Sequence, residues 1–274
     1  MTAAVTDDRD PGPRGTGGAT SPVLLGLVGL VGFALLLEAA PRLGLISAEY
    51  APPTSRIAAA LVDQAGRPAF WTALGNTLRT WLSGLGISVA AGVVLGVVIG
   101  AVPLLRAVTA STIEFLRPIP SVALVPLAVL LYGTGRNGTL LLVVYASFWQ
   151  VLIQVLHGVS DVDPIARETA ASYRLGPWAR IRYLVWPTTL PYAVTGVRLA
   201  ASVALILTVT GELVLGTPGL GGEIDVAQSS NAVPAMYALV VVTGLVGVVA
   251  NLVTRTAERR VLAWHPSVRK EVPI

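Results

Sequence analysis

Residues 161–191 read DVDPIARETAASYRLGPWARIRYLVWPTTLP. Pro164 suits the first turn of a helix, acidic residues flank it, and the stretch to Tyr173 is good helix-forming sequence. Leu175-Gly176-Pro177 then stops that helix and starts a second one running to about Trp186, because glycine and proline both interrupt a helical backbone. The segment therefore predicts an ordered helix-turn-helix, more organised than a plain connector requires.

Long apolar runs flank it, Thr139 to Leu156 before and Val194 to Leu215 after. The whole chain is 54% hydrophobic and 12% charged, where soluble domains carry about 25% charged residues. Lipid is the expected solvent. A spanning helix needs roughly 20 apolar residues to cross about 30 Å of hydrocarbon, so 274 residues hold one membrane domain. The pattern predicts an all-α integral membrane protein of about six spans, near 23–40, 81–102, 109–132, 139–157, 194–215 and 236–254. These form a membrane domain over 23–256 with the loop at 161–191. A disordered cytoplasmic tail is expected at 1–22 and a cytoplasmic tail at 257–274. The run Val23 to Leu37 before Glu38-Ala39-Ala40-Pro41 also has the form of a cleaved signal peptide. Its preceding tail sets Asp7, Asp8 and Asp10 against Arg9 and Arg14, which is no positive n-region, so it is read as a retained span.

Two spans have unusual features. Trp81 to Val102 carries no charge, and Gly92, Gly96 and Gly100 recur every fourth residue. That puts three hydrogens on one face for close helix packing, unless compositional bias alone scatters them. Val122 to Tyr132 is too short to cross alone, and extension toward Thr109 meets Arg117-Pro118-Ile119-Pro120. Irregular backbone at membrane depth is tolerated only beside protein or a watery cavity, so this segment is expected to be interior and to border a pathway. With the N-terminus inside, cytoplasmic segments hold Arg9, Arg14, Arg106, Arg117, Arg167, Arg174, Arg180, Arg182, Arg198, Arg255, Arg259, Arg260, Arg269 and Lys270 out of 19 basic residues. Positive-inside bias then predicts both termini in the cytoplasm.

Several chemistries are excluded. There is no cysteine, so disulfides and thiol catalysis are absent. Gly133-Thr134-Gly135-Arg136-Asn137-Gly138 fits GxGxxG but lies between two spans, without the strand that dinucleotide binding needs. The only lysine, Lys270, is in no GxxxxGK[ST] loop, so any ATP hydrolysis would have to come from another chain. His157 and His265 are too few for a recognisable metal site, no catalytic signature is present, and no cofactor is expected. Asn137-Gly138-Thr139 is formally a glycosylation sequon. The basic residues punctuate apolar runs instead of clustering on a soluble face, which argues against nucleic acid. Glu212 lies near the outer end of the fifth span, where an ionisable group is a functional candidate unless it reaches the interface. Glu38 borders water at a span edge, and Glu114 and Arg117 are spaced to pair at i and i+3.

The 161–191 segment resembles the EAA loop of bacterial ATP-binding-cassette (ABC) importer permeases. Glu168 stands on the motif's glutamate, Thr169 and Ala170 on its alanines, Leu184, Trp186 and Pro187 on its Ile-x-Leu-Pro, with no gap. The motif's glycine falls on Arg174, with Gly176 two residues later. Leu116-Arg117-Pro118-Ile119-Pro120, Pro126-Leu127, Gly133-Thr134-Gly135, Thr195-Gly196-Val197-Arg198-Leu199, Gly211-Glu212, Pro218-Gly219-Leu220-Gly221 and Glu258 to Trp264 are similar to the nitrate, sulfonate and taurine branch. The resemblance covers roughly residues 50 to 265.

It implies a type I importer permease in a bacterial inner membrane that moves a small anion inward by alternating access. Its implied partners are two copies of a cytoplasmic ATPase, an extracytoplasmic solute-binding protein, and a second permease copy or paralogue. Glu168, Thr169, Ala170, Ser172, Tyr173, Arg174, Leu175, Gly176, Pro177 and Pro187 would form the ATPase-coupling surface. Arg117, Pro118, Pro120 and Glu212 are the pathway or gate candidates. The rival reading is an ATP-independent secondary transporter or channel, which needs no docking loop.

Overall fold

The computed structural model describes residues 22–263. All but one residue of the expected 1–22 tail, together with Trp264, His265 and the rest of the C-terminal tail, lie outside these residues. The chain divides into two compact units, one ending at Arg56 and the other beginning at Ile57.

In the first unit, α1 (Pro22–Arg42) is an apolar helix. Glu38 near its end accepts hydrogen bonds from the Ser55 amide and hydroxyl, each 2.9 Å, and contacts the Arg42 guanidinium. Thr54 donates to the Ala34 carbonyl at 3.2 Å, folding the following loop back on the helix.

The second unit holds most of α2 (Thr54–Ala65), then α3 (Pro68–Ala101), α4 (Pro103–Leu116), a 3-10 turn at Ser121–Leu124 and α5 (Val125–Tyr132). There follow α6 (Arg136–Ser160), α7 (Pro164–Ser172), α8 (Pro177–Arg180), a π-helical turn at Ile181–Val185, α9 (Trp186–Leu215), α10 (Leu220–Ser229) and α11 (Val233–Val261). No strand occurs among the described residues. Five helices are long and apolar enough to span a membrane, or six if the bent α4–α5 pair counts as one. This is the all-helical architecture the apolar runs predict.

The core is α3, α6 and α9. Glycines on α3 receive valines from α6: a Cβ built on Gly92 would lie 2.7 Å from Val151 Cβ, on Gly96 2.7 Å from Val155 Cγ1, and on Gly100 2.8 Å from Val159 Cβ. Between α6 and α9 the approach is as close, with Gly158 2.9 Å from the Thr189 Cα and Gly211 2.7 Å from the Thr139 methyl by the same measure. Lipid supplies no hydrophobic drive between helices, so this backbone proximity and its dispersion contacts hold the bundle. The Trp81 indole donates to the Ala201 carbonyl at 2.9 Å, tying α3 to α9.

Three expectations need correction. The second span, expected over 81–102, starts earlier: α3 begins at Pro68, and α2 precedes it. The third span is a pair of helices bent by 86°, since Pro118 and Pro120 remove donors where the helix would continue. Nor is it interior within the single chain: α4 buries no residue, and Phe115 and Leu130 are exposed. Finally, no loop separates Trp186 from Val194. Pro177–Leu215 runs as one helical segment of 39 residues, about 58 Å at 1.5 Å per residue. Pro187 sits in the first turn of α9, directly after the widened π-helical turn, and Pro191 is carried inside the helix.

Candidate functional site

The α7–α8 hairpin lies at one end of α9. Asp163 caps α7 by accepting from the Ile165 amide at 2.8 Å, with Pro164 in the first turn. Arg167 donates to the Val159 carbonyl at 2.6 Å, anchoring α7 to the end of α6, and Tyr192 donates to Asp161 at 2.8 Å, anchoring the entry to α9. The hairpin is thus held rigidly on two core helices.

Its turn explains the missing glycine. The Leu175 amide donates to the Ala170 carbonyl at 3.0 Å, and the Tyr173 amide to the Thr169 carbonyl at 3.0 Å. This helix ending needs a left-handed residue after the last turn, and that residue is Arg174, at φ 53. Arginine there costs about 1 kcal/mol more than glycine. Gly176 does not take over the role, because its φ is −63. Arg180 instead closes the turn by donating from Nε to the Leu175 carbonyl at 2.8 Å.

Of the expected coupling residues, Glu168, Thr169, Ser172, Tyr173, Arg174, Leu175, Gly176 and Pro177 are exposed. Ala170 is 5% exposed, so it packs within the protein and offers no docking surface. Pro187 lies apart from the hairpin, in α9. Sequence reasoning named Tyr173, which is 79% exposed, but missed Ile165 and Trp178, which are 72% and 73% exposed. Trp178 directly follows the Gly-Pro break, and its position there was the available signal.

Arg117 and Pro118 line a cavity of about 640 Å³ with Arg106, Glu114 and His157. Glu114 and Arg117 form no ion pair with each other; both face the cavity. Tyr145 donates to the Leu116 carbonyl at 2.6 Å, an acceptor at the end of α4 that also takes the Ile119 amide at 3.2 Å. Pro120 precedes the 3-10 turn and is exposed.

Glu212, at the opposite end of α9, is only 1% exposed. Its Oε2 accepts from the Thr77 hydroxyl of α3 at 2.8 Å and from the Gly221 amide of α10 at 3.0 Å. Thr77 in turn accepts from the Leu220 amide at 2.8 Å. The start of α10 is therefore pinned to α3 and α9 through one carboxylate and one hydroxyl. Gly219 allows this, since a Cβ there would lie 2.2 Å from Glu212 Cδ. In this conformation no solute reaches the carboxylate. Thr77 carried no sequence signal, because its partners lie more than a hundred residues away.

A family model described as binding-protein-dependent transport system inner membrane component matches residues 92–263, which include the glycine face, the hairpin, and Glu212 with Gly221 but not Thr77. The chain belongs to this family. As an inner membrane permease it is similar to the taurine transport system permease protein TauC of Escherichia coli (strain K12), 29% identical over 232 residues, 83% of this chain and 84% of that one. It is also similar to the bicarbonate transport system permease protein CmpB of Synechocystis sp. (strain ATCC 27184 / PCC 6803 / Kazusa), 27% identical over 239 residues, 84% and 85% of the two chains. Among solved structures it is similar to a chain of the MetNI methionine ABC transporter in an inward-facing conformation, with TM-score 0.51 and 18% identity over 73% of this chain and 94% of that one. That likeness bears on the permease fold alone.

Proposed function

We propose that this chain is the permease subunit of an ATP-driven importer, carrying a small anionic solute across the inner membrane by alternating access. The α7–α8 hairpin docks into a cytoplasmic ATPase, one ATPase to each of two permease copies, and both termini lie in the cytoplasm. An extracytoplasmic binding protein delivers the solute. The observation that carries this reading is the hairpin itself: a rigidly anchored, polar element outside the apolar bundle that exposes Ile165, Tyr173 and Trp178. Exposed aromatic residues on a fixed scaffold are the usual anchors of a protein interface. Rigid anchoring lets closure of the ATPase pair pass into α6 and α9 as a rigid-body motion. The taurine and bicarbonate relatives both handle oxoanions, which supports a sulfonate-like or carboxylate-like solute and adds bicarbonate to the classes the sequence suggested.

Co-purification tests the docking step. The wild-type permease should co-elute with the ATPase from detergent. Glu168→Arg with Tyr173→Arg, both on exposed positions, should reduce the retained ATPase about tenfold or more, the loss of one interface anchor. Undiminished co-elution of the double variant would remove the hairpin from the interface. Ala170 is unsuitable for this test, because an arginine there would unfold the hairpin.

A further inference from the structure

The groove between α9 and α11 combines two properties that conflict in a lipid-facing surface. It is a cavity of about 440 Å³ formed along two spanning helices, and Ser202, Thr210 and Asn251 open into it. None of these three side chains has a hydrogen-bond partner among the described residues. By contrast, Thr243 and Thr254 in the same groove return their hydroxyls to the Val240 and Ala250 carbonyls, at 2.7 and 2.9 Å. An amide or hydroxyl without a partner in hydrocarbon costs several kcal/mol by order of magnitude. The exposed apolar side chains of α11, such as Leu245, Val249 and Val253, belong to other positions on the helix. Polar and apolar exposure are thus sorted around α11, and the polar part needs something other than lipid.

We propose that this groove is a wall of the solute path, wetted during transport, where a small aliphatic oxoanion is handed along neutral donors. The proposal rests on the transport reading above and locates the path within it. Ser202 and Thr210 are eight residues apart on α9, about 12 Å along the axis, so they act in succession and not as one clamp. Among the described residues no charged side chain lines the groove. A solute held by hydrogen bonds without a counter-charge is bound weakly enough to leave, as conduction requires. Leu205, Ile206 and Val209 supply apolar wall for a short alkyl body. The size lies within the usual range of small-molecule cavities, about 300–1,000 Å³.

The chain contains no cysteine, so single cysteines report cleanly. Ser202→Cys, Thr210→Cys and Asn251→Cys are introduced singly, with Val249→Cys as the apolar-face control. The assembled transporter in open membrane fragments is treated with methanethiosulfonate ethylsulfonate, itself a small aliphatic sulfonate. Only a wetted thiol ionises and reacts. The three groove cysteines should react about tenfold or more faster than the control, and excess ethanesulfonate should slow them several-fold. Reaction as slow as the control overturns the proposal, and so does spontaneous disulfide formation between two copies at Ser202→Cys without labelling, which would make the groove a permease–permease seam. Labelling without protection by ethanesulfonate overturns the oxoanion assignment. Because the readout is water access, fast labelling in a protein that binds no ATPase would leave the path standing and sink the ATP-driven reading alone.

Discussion

Gly96→Leu is expected to leave no folded permease. A Cβ at Gly96 would already lie 2.7 Å from Val155 Cγ1 and 2.8 Å from its Cβ, with the Leu152 carbonyl 3.4 Å away. Valine is branched at that carbon and has no rotamer that clears the space, so α3 and α6 have to separate. Alanine alone should cost about 1–3 kcal/mol by overpacking, and leucine considerably more because it displaces the neighbouring Gly92 and Gly100 contacts with it. Gly86, whose built Cβ has nothing within 4 Å, is the control. Thermal unfolding in detergent should rank Gly86→Ala near wild type, Gly96→Ala below it and Gly96→Leu unfolded. A Gly96→Leu protein melting like wild type would mean that α3 and α6 do not pack through this face.

Glu212 gives the second large effect. Removing its carboxylate by Glu212→Ala strands the Thr77 hydroxyl and the Gly221 amide, at about 1–3 kcal/mol for each buried group left without a partner, and opens a cavity beneath α10. Transport and thermal stability should both fall sharply. Glu212→Gln retains an oxygen that accepts from both donors, so it should keep most of each. Gly219→Ala should reproduce the alanine defect with the carboxylate still present, because its new methyl group displaces the carboxylate from its place. If Glu212→Gln transports as poorly as Glu212→Ala while folding normally, the negative charge itself acts in transport and the clasp is not its main role.

The membrane class was legible because hydrophobic runs of spanning length are a strong signal in a chain so poor in charge. The glycine face was legible because residues spaced by four share one side of a helix. Other features depended on context. The second hairpin helix is expected from the sequence to end near Trp186, yet the π-helical turn ahead of Pro187 lets it continue into α9. The third span read as interior because its two prolines put irregular backbone at membrane depth, but that constraint does not distinguish a surface that waits for a second copy from one packed inside the single chain. Arg174 looked like a departure from the loop motif; the backbone keeps the glycine's left-handed geometry and carries the strain. The Glu212 cluster joins residues 77, 212 and 221, and no local pattern announces a contact across that separation. Ala170 matched a motif position whose surroundings, not its identity, decide whether it is available.

The central claim is that ATP hydrolysis by a docked partner drives the solute inward through this chain. The most direct measurement is uptake of radiolabelled taurine and bicarbonate into proteoliposomes containing the permease and its ATPase, with binding protein on the side opposite the ATPase and ATP on the ATPase side. The account predicts uptake of one such oxoanion that requires ATP and binding protein, and stops when Glu168→Arg with Tyr173→Arg uncouples the ATPase. Uptake that proceeds without ATP, driven by an ion or solute gradient and indifferent to the hairpin variant, would contradict it.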